Sequence, residues 1–135
     1  MLKRNRRIVS MQAFVMRVIE KYPRYLQEEA IFERRLEIRE NRDMRDALTM
    51  LRIKLRLVES WFALLDADEI FALRLVLRPH LNDVPAFRAA TTMWLWQLIK
   101  EGKASWILRE QAIEKITAFA LDHRDIMMAA FADAR

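Results

Sequence analysis

Met44, Leu48, Leu51, Leu55, Val58, Phe62 and Leu65 recur at alternating steps of four and three, the spacing that lines one face of an α-helix. A second apolar row, Met50, Ile53, Leu57, Trp61 and Leu64, runs along the same tract. Together they predict a long central helix over 44–65, apolar on two sides and enclosed in a bundle. Upstream, Ile8, Met11, Val15, Val18 and Tyr22 form a stripe that predicts a first helix over 6–21. It should stop near Pro23, because proline lacks the N–H a helix needs and restricts the residue before it. A charged helix is expected over 25–40, with Tyr25, Phe32 and Leu36 on one face and Glu29, Glu33 and Glu37 set near Arg four or five positions on. Asn41 and Asp43 are placed to end it and to cap the central helix.

The second half continues in the same way. Asp66 offers an N-cap, with Asp68 and Glu69 in a first turn where the helix dipole favours acids, and that helix should end before Pro79. Asn82 and Asp83 precede a helix with Pro85 in its first turn, an apolar seam of Val84, Phe87, Thr91, Trp94 and Leu98, and a stop at Gly102. Ser105 reads as the cap of a helix that turns Ile107, Leu108, Ala112, Ile113, Ile116 and Ala120 inward. A short terminal helix over 122–135 carries Ile126, Met127, Ala130 and Phe131. The expected fold class is all-α: a compact bundle of about six helices forming one domain over 1–135.

Composition narrows this further. A single glycine in 135 residues, with 53% hydrophobic and 32% charged residues, leaves little room for sheets or glycine-dependent loops. With no cysteine, disulfides, thiolate nucleophiles and Cys-ligated zinc are all excluded, and a cytoplasmic setting is the expectation. No stretch approaches the roughly 18 apolar residues of a membrane span, so no membrane partner is expected. The basic, amphipathic start has some features of a signal peptide or a mitochondrial presequence. Ser10, Gln12 and Arg17 interrupt its apolar run and no small-residue cleavage site follows, so it reads as a first helix with a basic lead-in.

Charge changes the picture most. Residues 1–59 carry fifteen Lys or Arg against nine Asp or Glu, whereas residues 60–135 carry nine against ten. Eighteen of the twenty-four cations are arginine, whose planar fork binds phosphate oxygens in pairs. The basic arm over 1–7 (Lys3, Arg4, Arg6 and Arg7) and the helical face of Arg45, Arg52 and Arg56 are the residues expected to follow a phosphate backbone. Nucleic acid, DNA ahead of RNA, is the expected partner. The competing expectation is that the interleaved Glu and Arg are solvated ion pairs.

Two tracts together carry a resemblance. Leu64 to Arg74 reads LLDADEIFALR and Ser105 to Ile116 reads SWILREQAIEKI. This resembles the helix-turn-helix layout of sigma-factor region 4 and of phage-type transcriptional regulators such as the ArpU family, with Leu65 and Glu69 opening the supporting helix and Ser105, Arg109, Ala112, Ile113 and Ile116 in the recognition helix. The resemblance implies a helix-turn-helix-like unit over 66–120, a regulatory role on a phage or mobile element, and Arg109 as a further contact to nucleic acid. Where that pattern has a Leu-Gly turn, this chain has Glu101, Gly102, Lys103 and Ala104.

Catalytic chemistry has little support. His80 and His123 are the two histidines, and neither stands at a spacing that sets two metal ligands on one helix face. One glycine cannot make a phosphate-cradling loop. A non-enzymatic protein without metal or cofactor is expected. Trp94, Trp96 and Trp106 cannot all face one core. Trp96 and Trp106 are therefore the expected interface residues, covered by a second copy or a protein partner, and a helical interaction protein is the alternative function.

Overall fold

The computed structural model describes the backbone of residues 6–76 and 85–135 and the side chains of 6–74 and 92–135. Among these residues there are six α-helices and no strand: α1 (Arg6–Ile38), α2 (Arg42–Phe62), α3 (Ala67–Val76), α4 (Pro85–Glu101), α5 (Ser105–Asp122) and α6 (Arg124–Ala130). A 3-10 turn, Ala132–Ala134, follows α6. The stop at Pro79, the caps Asn82 and Asp83, the side chains of Val84, Phe87 and Thr91, and His80 lie outside the described residues.

The stop predicted near Pro23 does not occur. α1 continues through it for 33 residues, about 50 Å at 1.5 Å per residue, and so absorbs the separate charged helix expected over 25–40. Pro23 denies the Ile19 carbonyl its intrahelical donor, a defect costing about 3 kcal/mol. Burial on both sides offsets it: Phe14, Val15, Val18 and Ile19 precede the proline and Tyr25 follows it, all 2% exposed or less. Tyr22 meets Phe62 edge to face at 5.4 Å, which locks the turn around the proline onto α2. The longest helix is therefore the first one, not the one over 44–65.

Asn41 caps α2, its side-chain oxygen accepting from the Met44 N–H at 3.1 Å. One seam of α2 faces inward as its spacing requires, with Leu48, Leu51, Leu55 and Val58 buried. The second row is a correction. Trp61 is fully buried, but Met50, Ile53 and Leu64 are exposed, because α2 has α1 on one side and solvent on the other. Two sides of apolar residues do not make it a central helix.

The main core lies between α1, α2 and α5 and is closed by the chain's C-terminal end. Phe131, 0% exposed, is its hub, with Trp61 at 5.6 Å, Phe14 at 6.3 Å and Tyr25 at 6.3 Å between ring centroids. Polar bonds fasten the same end. Asp133 accepts from the Tyr25 hydroxyl at 2.9 Å and from Lys54 Nζ at 3.0 Å, its backbone oxygen accepts from Lys21 at 2.8 Å, and the Ala134 carbonyl accepts from Arg17 Nε at 2.6 Å. Where one terminal helix was expected, α6 thus ends at Ala130 and a 3-10 turn delivers Asp133 and Ala134 to α1 and α2.

α3 packs on α5. Asp66 and Glu69 form a reciprocal capping box at the start of α3: Asp66 Oδ1 accepts the Glu69 N–H at 2.8 Å and Glu69 Oε1 accepts the Asp66 N–H at 3.0 Å. The Glu69 N–H bond is the main reason that the Asp66 carboxyl sits below its ordinary value. α4 leans on α3 through Phe71 and Trp94, 4.6 Å between ring centroids, and through the Trp94 indole N–H donated to Asp68 at 3.1 Å. Gly102, at φ 70°, ends α4 in a Schellman turn, with Lys103 N–H bonded to the Leu98 carbonyl and Gly102 N–H to that of Ile99. Ser105 does not cap α5. Ala104 holds the N-cap position without a side-chain bond, so the helix begins one residue earlier than a Ser105 cap would place it.

Candidate nucleic-acid interface

The basic excess of the N-terminal half is confined to its first part. Residues 1–27 hold seven Lys or Arg against one Glu, and residues 28–59 hold eight against eight. Because α1 and α2 form an antiparallel pair, the second group covers the far end of their hairpin, where cations and carboxylates interleave. Arg45 is bound to Glu40 at 2.6 Å, and Arg52 to Glu33 at 2.6 Å and Glu29 at 3.6 Å. Glutamates that looked placed for pairing within one helix thus pair across to α2. Arg56 is exposed and has no ion-pair partner among the described residues.

The expected site residues are therefore not brought together. Arg6 and Glu33, the partner of Arg52, are 27 positions apart on α1, about 40 Å. Lys3 and Arg4 lie outside the described residues. Arg109 is exposed on α5 at the rim of a separate groove between α1 and α5. That groove, about 440 Å³, is lined by Val9, Gln12, Ala13 and Met16 on one side and by Arg109, Glu110, Ile113 and Glu114 on the other. Its charge is mixed, with two carboxylates beside the one guanidinium.

Within the basic first part of α1, several cations serve the fold. Arg17 and Lys21 hold the C-terminal turn, and Arg24 pairs with Glu28 one turn on. Arg6 and Arg7 do something different. With Ser10 and Met11 they line a pocket of about 160 Å³ whose other wall is Arg124 and Met128 from α6. Among the described residues no carboxylate lines it, and neither Arg6 nor Arg124 has an ion-pair or hydrogen-bond partner. Ser10 and Arg124 escape a reading of local pattern, since Arg124 is one arginine set among Asp122, His123 and Asp125, and only the return of the chain over α1 gives it a role.

α5 offers less to a nucleic acid than its place in the motif suggests. Ala112, Ile113, Ile116, Thr117 and Ala120 are buried, held between α1 and α3. Its exposed positions include Glu110, Gln111 and Glu114 beside Arg109. Lys115 turns back to Glu69 at 2.6 Å, a bond that keeps its ammonium above its ordinary value. Glu69 is 1% exposed, and its second oxygen has no partner among the described residues. The acids at the head of α3 are thus accounted for by a cap and a lysine. His123, between α5 and α6, faces the Phe119 carbonyl through Nδ1 at 3.0 Å and stacks on the Phe119 ring.

The two tryptophans expected at an interface stand on the outside, Trp96 62% and Trp106 57% exposed. Met93 and Ile99 beside Trp96 on α4 are 74% and 69% exposed. Trp94, two positions from Trp96, faces α3 instead. No helix of the described residues is long and apolar enough to cross a membrane. The chain matches no family model, no curated protein and no solved structure.

Proposed function

We propose that this protein is a non-enzymatic nucleic-acid-binding factor of a regulatory or accessory kind, which engages the phosphate backbone with the N-terminal end of α1. The observation that carries this reading is the concentration of net positive charge in residues 1–27 together with guanidinium groups, Arg6 and Arg124, that have no partner among the described residues. Backbone binding needs cations free to replace condensed counterions, and ion pairs remove Arg45 and Arg52 from that role. The resemblance of the α3–α5 tract to phage-type regulators favours duplex DNA over RNA. Base reading by α5 is a minor part of the proposal, because Glu110 and Glu114 repel phosphates on its exposed face and its inner face is occupied. Fluorescence anisotropy of labelled duplex DNA and RNA, titrated at low and near-physiological salt, tests the reading. Saturable binding is expected, stronger for DNA, that weakens steeply with salt. Absence of binding at low salt removes the proposal.

One observation favours a second reading. Met93, Trp96, Ile99 and Trp106 leave large apolar side chains in solvent on α4 and the start of α5, and exposed apolar patches of that kind mark association surfaces. Under this reading the molecule is a helical interaction protein, and a partner or a second copy covers α4. Sedimentation over a range of concentrations, with and without Trp96→Ser, separates self-association from a monomer. A monomer at all concentrations leaves only a different protein as the partner.

A further inference from the structure

The pocket between the start of α1 and α6 has the composition of an oxyanion seat. Three guanidinium groups, from Arg6, Arg7 and Arg124, and the Ser10 hydroxyl line a space of about 160 Å³ with Met11 and Met128. All of these polar groups can donate hydrogen bonds. Among the described residues no carboxylate lines the pocket, and in a chain with nineteen acids a cluster of three arginines would ordinarily be neutralised, as Arg45 and Arg52 are by three glutamates. Two of the three arginines instead stand without a partner. Arg6 and Arg124 are like charges held at one pocket with no counter-charge among the described residues; such groups repel and cost stability, so the arrangement is one that an incoming anion relieves. Arginine forks match the tetrahedral array of phosphate oxygens in paired hydrogen bonds.

We propose that Arg6, Arg7, Ser10 and Arg124 together seat a single phosphate group, supplied by a nucleic-acid backbone. The source of the phosphate rests on the function proposed above; the chemistry of the seat does not. Arg124 is the informative member. It reaches the seat from α6, far along the chain from α1, and it is exposed with no partner among the described residues, so replacing it leaves the fold intact.

The test is the salt dependence of duplex DNA binding for the wild type, Arg124→Gln and, as a control at the hairpin end of α1, Arg35→Gln, with a parallel titration of inorganic phosphate followed by the NMR signals of the arginine side chains. Removing one phosphate interaction lowers the slope of log affinity against log salt by about 0.9. The proposal expects that reduction for Arg124→Gln, an unchanged slope for Arg35→Gln, and saturable phosphate shifts that Arg124→Gln abolishes. DNA binding with an equal slope in the wild type and Arg124→Gln, or an equal reduction in both variants, overturns the seat and leaves the function standing. Phosphate shifts that need Arg124 in a protein that binds no DNA uphold the seat and overturn the nucleic-acid source, leaving a free phosphate-bearing ligand as its occupant. Binding of neither overturns both.

Discussion

Asp133 is where one side chain holds the most separate parts of the fold, joining Tyr25 and Lys21 of α1 to Lys54 of α2 at the C-terminal turn. Burial raises its carboxyl, but the hydrogen bonds from Lys54 and Tyr25 outweigh burial and hold it below its ordinary 3.8. A carboxyl lowered by folding stabilises above its unfolded value and loses that contribution as pH falls through its folded one. Urea melts of the wild type and Asp133→Asn should therefore differ at pH 6 and converge as pH drops below about 4. A constant difference across that range would contradict the clasp. Burial makes a similar distinction between two lysines. Lys115 faces Glu69 at 1% exposure, whereas Lys103 faces Asp68 and Glu101 at 40% each. Removing Lys115 strands a buried carboxylate; removing Lys103 leaves two solvated ones. Lys115→Ala should lower the urea midpoint clearly more than Lys103→Ala, and equal losses would mean that Glu69 is solvated on unpairing. Neither ranking follows from the chain's order of residues, because the partners are 46 positions apart for Lys115 and Glu69 and 79 for Lys54 and Asp133.

Among the helices, α1 holds the feature most open to test. Pro23 inside it costs about 3 kcal/mol of helix geometry, while proline's restriction of the unfolded chain returns about 0.4–1 kcal/mol. Pro23→Ala should thus stabilise the protein by roughly 1–3 kcal/mol, read as a higher melting temperature with unchanged helix content. A less stable variant would mean that the packing of Tyr22 and Tyr25 depends on the proline. The same residue shows why helix boundaries divide into readable and unreadable ones. Caps are local, so Asn41 before α2, Asp66 with Glu69 before α3 and Gly102 after α4 could be placed from neighbouring residues. The continuation of α1 could not, since the burial that overrides Pro23 comes from Phe62 and Phe131, far along the chain. The second apolar row of α2 was equally ambiguous: periodicity shows a face to be apolar and leaves open whether anything covers it.

For the molecule as a whole, the all-α class was written in the hydrophobic spacing and the near absence of glycine, whereas the candidate site was only half legible. Counting charge located the basic half; pairing decided which of its arginines remain available. Antiparallel packing of α1 and α2 matches Arg52 with Glu29 and Glu33, and the return of α6 over α1 adds Arg124 beside Arg6 and Arg7. Carboxylates hold Arg45 and Arg52 at one end of this helix pair, whereas Arg6 and Arg124 at the other have no partner among the described residues. Duplex DNA affinity, measured against salt for Arg6→Gln/Arg7→Gln and for Arg45→Gln/Arg52→Gln, tests this most directly. The first pair should weaken binding and lower the salt slope by about 0.9, because the one phosphate seated there is no longer neutralised, while the second should leave both close to wild type. Weakened binding in the second pair with the first unaffected, or no binding by the wild type at low salt, would contradict it.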